Sequence, residues 1–254
     1  TAARTPSGDW VINGEKHFVP NAPLASLVAV QVKTDPEAPA GRGISTLLVP
    51  KGTPGMRVRE LDQNAGWYHG LRGDITFEDC RLPGDHLLGE EGRSPLAFGL
   101  DPDGRGVPVG PAMNVGVGRA AYEAALEYAG MRVQGGRRIV EHQAIGTKLA
   151  EIALRLETAR TMVWKAAWVA DHPSAVADRS VDDLPLVTAA RIYTAEAIHQ
   201  ATLDAAEIFG AMGVMRDMPL HKYVQDATIF LHSGMSPGDG KLRIAEVLAG
   251  FRRS

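Results

Sequence analysis

The side chains in this sequence best suited to moving a proton near neutral pH are histidines. Four of them, His142, His199, His221 and His232, fall on or beside segments patterned as helices. No His-Glu-x-x-His run, paired cysteines or phosphate-binding loop accompanies them, so metal-site and nucleoside-triphosphate signatures are both missing. Taken singly, each reads as a surface or helix-capping histidine. Gly116-Val117-Gly118 lacks the preceding strand and the third glycine of a dinucleotide loop. Asp101 and Asp103 stand just ahead of a helical segment, where carboxylates cap a helix and meet its positive end. Trp164 and Trp168 are one helical turn apart, a spacing that reads as packing rather than a stacking platform. The order of longer segments is more informative than any short motif.

Two textures of sequence must position whatever chemistry there is. Short apolar runs come first: Trp10-Val11-Ile12, Leu27–Val32, Ile44–Val49, Met56–Arg59 and Asp74–Phe77. Turn clusters such as Thr34-Asp35-Pro36 and Lys51-Gly52-Thr53-Pro54-Gly55 separate them. Asn13-Gly14, between two such runs, predicts a β-hairpin. From about Pro108 the texture turns helical and alanine-rich. Ile145, Leu149, Ile152, Leu156, Ala159, Val163 and Ala166 step by four and three, which places them on one helical seam. Val115–Tyr128 and Leu186–Phe209 read as further helices, with breakers at Gly135-Gly136, His172-Pro173, Pro219 and Pro237-Gly238. The fold class expected is α+β, a small antiparallel β-barrel or sandwich followed by an up-down α-helical bundle. The length of the seam and its alanine-rich neighbours predict apolar surface left over for an oligomer.

At 254 residues, 44% hydrophobic and 22% charged, the composition is that of a globular protein. A net charge of −3 supplies no basic field for nucleic acid or anionic lipid. No apolar run approaches the roughly 18–20 residues of a membrane span. The single cysteine, Cys80, has no internal partner, which makes a reducing, cytoplasmic setting the expectation.

Gly8–Lys16, Gly43-Ile44-Ser45, Lys51–Gly55, Phe77–Pro83 and Leu88–Gly92, in this order, resemble the middle β-domain of the acyl-CoA dehydrogenase family. Ala120–Ala129, Arg132-Val133-Gln134-Gly135-Gly136 and Ile208–Gly213 resemble that family's first C-terminal helix, its Arg-x-Gln-Phe-Gly turn and its later glycine turn. The resemblance implies a middle-type β-domain over 1–95 and a C-terminal-type helical bundle over 96–254, without the family's N-terminal helical domain. It also implies oxidation of acyl-CoA thioesters in fatty acid metabolism, FAD as cofactor, and an oligomer in which one subunit's turns reach its neighbour's FAD.

Carried over residue by residue, the resemblance leaves both homes of the family's glutamate base vacant. One falls on Ser233 or Gly234, depending on a one-residue gap. The other falls on Gly104 or Gly106. His232 is the neighbouring rescue position. On the FAD side the matching positions are Phe18, Val19 and Pro20, then Arg132 and Gln134, then Glu207, Gly210 and Gly213. Pro20 brings neither a hydroxyl nor a backbone N–H. Glu207 brings a negative charge towards a pyrophosphate, and Gly135 stands where the family has a phenylalanine. Arg132 offers a forked cation to phosphate, or else a charge at a helix C-terminus. Three functions follow. The first is an acyl-CoA-directed flavoprotein with its base supplied from elsewhere. The second is a non-catalytic or partner-dependent subunit pairing with another acyl-CoA dehydrogenase chain. The third is a member with altered chemistry, of the enoyl-CoA reductase, desulfinase or flavin monooxygenase type, or else a purely structural oligomerising subunit. The vacant base favours the second.

Overall fold

The computed structural model describes residues 1–39, 42–61, 65–68, 70–94, 107–172, 181 and 183–251. The boundary expected at residue 95, the positions Gly104 and Gly106, and Asp101 and Asp103 lie outside them. Two compact units emerge: Thr1–Asn64 with Tyr68–Pro102, and Ala65–Trp67 with Asp103–Ser254.

In the first unit, β1 (Ala2–Arg4), β2 (Trp10–Pro20), β5 (Met56–Glu60) and β6 (Arg72–Leu82) form an antiparallel sheet ordered β1-β2-β6-β5. A second antiparallel sheet is ordered β3-β4-β7, from β3 (Leu27–Lys33), β4 (Ile44–Pro50) and β7 (Leu87–Leu88). Alternate residues of both sheets point to one side, as period-two pleating requires. Trp10, Ile12, Val30, Val32, Leu47, Val49, Ile75 and Phe77 thus share one buried core. The result is two open sheets over a common core; among the described residues no barrel closes.

Asn13-Gly14 is not a hairpin. β2 runs straight through it, paired to β1 on one side and β6 on the other. Of the pair only Gly14 has positive φ, at 134°, whereas the tight hairpin turn needs it at both positions. The register jumps here from Ile12↔Cys80 to Gly14↔Phe77, a β-bulge. It is clasped by two hydrogen bonds: Asn13 Nδ2 donates to Asp79 Oδ1 at 3.1 Å, and Asp79 N–H to Asn13 Oδ1 at 2.7 Å.

The second unit holds α1 (Val109–Met131), α2 (Gln143–Asp171), α3 (Leu186–Ile208), α4 (Leu220–His232) and α5 (Pro237–Ala249). Helix α3 is its axis: Ala190, Ala195, Ile198, Ala201, Ala205 and Ile208 are all buried. Alanine at these positions lets neighbouring helices approach closely. Gly118 on α1 goes further, since a Cβ there would stand 2.8 Å from Ile198 Cγ2 and 2.9 Å from Leu156 Cδ2. The α2 seam is present, with Leu149, Ile152, Ala159, Val163 and Ala166 buried. Complete burial of a side chain such as Ile152 contributes about 1.5–3 kcal/mol. Leu149 and Ile152 pack with α1 and α3 residues, so this seam closes the subunit's own bundle instead of facing a partner. The tryptophans also depart from expectation. Trp164 and Trp168 are 59% and 52% exposed on α2. Arg160 lies 4.5 Å over the first ring, and His172 stacks on the second at 4.8 Å.

Candidate functional site

Helix α1 ends at Met131, and the chain then makes a two-residue hairpin, β8 (Val133–Gln134) to β9 (Arg137–Arg138). Its turn is Gly135-Gly136, with φ of 64° and 80°, the pair of left-handed values that a type I′ turn demands and glycine meets without strain. The Ile139 N–H returns to the Arg132 carbonyl at 2.8 Å. His142 locks the hairpin from beneath. Arg137 can only donate, so its contacts of 3.3 and 3.4 Å make His142 Nδ1 the acceptor. The proton therefore sits on Nε2, which donates to the Gln134 carbonyl at 2.9 Å.

Opposite this hairpin, the end of α3 runs into a 3-10 turn, Gly210–Val214. Between them lies a cleft of about 450 Å³ lined by Tyr128, Arg132, Gln134, His142, Glu207, Phe209 and Gly210, among others. Tyr128 and Phe209 stack along it, with centroids 4.1 Å apart and planes at 11°. Four of the positions drawn from sequence, Arg132, Gln134, Glu207 and Gly210, are thus brought together. Gly213 is not; it is buried against the Ala206 backbone. Arg132 Nη2 donates to Gln134 Oε1 at 3.4 Å. Glu207 is not a lone negative charge, because its carboxylate pairs with Lys148 on α2. That bond above all raises the Lys148 pKa, against desolvation and with help from Asp204. Asp204 in turn pairs with Arg155 and accepts from Gln200 Nε2 at 3.0 Å.

Phe18, Val19 and Pro20 lie in the other unit, at the end of β2. Phe18 has φ of 53° and is 68% exposed. Its N–H donates to Asp74 Oδ1 at 3.1 Å. That backbone hydrogen bond, ahead of the ion pair with Arg59, lowers the Asp74 pKa. Val19 and Pro20 pair with Gly73 and Arg72 on β6.

His232, Ser233 and Gly234 form the corner between α4 and α5. Gly234 has φ of 76°. Above it lies Arg191 of α3, a residue that the sequence reading missed. Its Nη2 donates to the Ser233 carbonyl, and a Cβ on Gly234 would stand 3.2 Å from Cζ and 3.4 Å from Nη1. Burial lowers the Arg191 pKa. Burial first, and then the nearby His232, lowers that of His199. The one sequence signal for Arg191 was a lone cation inside the apolar stretch Ala189-Ala190-Arg191-Ile192. Among the described residues no three potential metal ligands gather, and no helix is long and apolar enough to cross a membrane.

Comparison with known proteins matches residues 1–80 to the family description "Acyl-CoA dehydrogenase, middle domain" and residues 109–233 to "Acyl-CoA dehydrogenase, C-terminal domain". Human mitochondrial short-chain specific acyl-CoA dehydrogenase is 33% identical over 231 residues, 90% of this chain and 53% of that protein. The structure of butyryl-CoA dehydrogenase from Megasphaera elsdenii superposes with a TM-score of 0.80 at 26% identity, covering 98% of this chain and 62% of that one. The FAD complex of PigA gives a TM-score of 0.86, again at 26% identity, over 98% and 62% of the two chains. The chain spans about half the length of the curated relatives it matches, 53% in the human case.

Proposed function

The chain belongs to the acyl-CoA dehydrogenase family, and from that premise we propose that it is an FAD-binding, partner-dependent subunit directed at acyl-CoA thioesters, not a self-sufficient dehydrogenase. Its setting is an oligomer, of its own copies or with another chain of the family, in a reducing cytoplasm. The buried lone Cys80 is compatible with that setting.

The cleft fits the nucleotide end of FAD. Arg132 projects an exposed forked cation suited to a phosphate oxygen. At Gly210 nothing stands within 4 Å of where a Cβ would be, so a phosphate has room to approach the backbone. Lys148 offsets the Glu207 charge that would otherwise repel it. Phe18, held out by Asp74, fits an aromatic wall for a flavin ring. FAD, when bound, supplies the acceptor for a hydride from the acyl β-carbon.

Among the described residues, the base position at the α4–α5 corner offers no carboxylate for the other half of the reaction, and this observation carries the reading. Removing the α-proton needs a carboxylate within hydrogen-bond reach, a contribution on the order of 10²–10⁴-fold. Ser233 and Gly234 have no ionisable group, and the Arg191 guanidinium packs against both. A cation there cannot accept a proton.

A dye-linked assay across saturated acyl-CoA chain lengths, with added FAD, tests the reading on the full chain. The expected result is no turnover at the rates of the family. Turnover of several per second would falsify it, and its loss in His232→Ala would then identify the substitute base. Arg132→Ala should weaken FAD retention in the assembly; unchanged retention would return Arg132 to the role of a helix-end charge.

A further inference from the structure

Among the described residues, Arg191 is a cation without a counter-ion. Its neighbours along α3, Ala189, Ala190 and Ile192, are buried, and its own Nε is buried without an acceptor. Its hydrogen bond is to a neutral carbonyl, that of Ser233, and among the described residues no carboxylate pairs with it. Two acids of the flanking helices are already engaged. Glu196, further along α3, pairs with Lys241 of α5. Asp239 accepts from Ser236 Oγ at 2.7 Å. A guanidinium drawn partly out of water and met by one neutral acceptor is unfavourable unless an anion completes it.

The backbone keeps that charge uncovered. Gly234 has no side chain to lay over the guanidinium, and its φ of 76° disfavours replacement by other residues. We propose that the corner between α3, α4 and α5 is an anion-receiving site, in which the Arg191 guanidinium takes the carboxylate of a small organic acid or acyl ligand. The charge count selects a carboxylate over a phosphate. Arg191 contributes one permanent positive charge in a planar fork, the match of a single carboxylate. Burial, and then the nearby His232, disfavour a second positive charge on His199. The inference goes beyond the proposed function, because it assigns a ligand to the corner whether or not the chain turns over acyl-CoA.

The test is a titration of the full chain at neutral pH, followed by nitrogen-15 NMR of the arginine Nε–H groups and of the Ser233 and Gly234 amides. The probes are butyrate, butyramide and inorganic phosphate. Butyrate should shift the Arg191 Nε–H and the two amides saturably in the millimolar range, and butyramide should not. Arg191→Gln should abolish the amide shifts. Arg191→Lys, which keeps the charge but loses the fork, should weaken binding by about tenfold. Arg191→Lys also serves as the folded control should the glutamine variant not fold. The proposal is overturned if butyrate shifts Arg191 no more than a surface arginine such as Arg119, or if either variant binds as tightly as the parent. It is equally overturned if phosphate binds more tightly than butyrate. None of these readouts uses turnover, so failure here and failure of the proposed function are separate events.

Discussion

Lys148 of α2 and Glu207 at the end of α3, 59 positions apart in the sequence, form an ion pair at the rim of the Arg132 cleft. The same ammonium lies 3.7 Å from Asp204, so one lysine serves two carboxylates. Replacing it leaves Asp204 with Arg155 but strands Glu207.

Lys148→Met should therefore lower stability by about 0.5–1 kcal/mol, the scale of a partly exposed pair, and the loss should shrink in high salt. The sign follows from the raised Lys148 pKa. The stabilisation is fully present below the ordinary lysine value of about 10.4 and disappears as pH rises through the higher folded value. Thermal melts of the two proteins should differ by a constant amount from pH 6 to pH 9 and converge in strong alkali. Equal melting temperatures at low salt and pH 7 would discard the pair as a stabilising contact.

Asp74 behaves in the opposite sense. Its pKa is lowered first by the Phe18 N–H and then by Arg59. Its contribution is thus present above the ordinary aspartate value of about 3.9 and is lost as pH falls through the lower folded one. Asp74→Asn should destabilise at neutral pH and converge with the parent in acid. Exchange of the Phe18 amide should accelerate in the variant at pH 7. An unchanged exchange rate would mean that Asp74 does not hold the Phe18 turn.

The hairpin glycines can be separated from helix glycines. Gly135→Ala forces a Cβ into a left-handed residue at a cost of about 1–2 kcal/mol, and should release Arg132 and Gln134 from the cleft. Gly116→Ala, in the open surface of α1 with nothing within 4 Å, should instead stabilise by about 0.4–1 kcal/mol. Melting temperatures moving in the same direction in both variants would contradict this reading.

Gly118 has no such room. Gly118→Ala should cost about 1–3 kcal/mol by overpacking Ile198 and Leu156. Ile198→Val in the same chain should recover part of that loss, a non-additivity that urea denaturation can resolve. Simple additivity would show that the two residues do not press on each other.

The sequence by itself determined the elements. Period-two runs at Val30–Val32 and Ile75–Phe77 became buried strand faces. The four-three seam of α2 became a buried helix face, and Gly135-Gly136 became a turn. Such signals are legible because pleat, helical period and positive φ are settled within a few neighbouring residues. Tertiary structure decided what lay against what. Asn13-Gly14 carries a hairpin signal, yet flanking strands on both sides hold it extended as a bulge. An apolar seam announces burial but not by whom, and α1 and α3 covered it before any partner could. Arg191 and Ser233 are 42 residues apart, and neither has a local pattern naming the other. Charge pairing and close approach depend on which helices become neighbours, and that choice is made by packing the whole bundle.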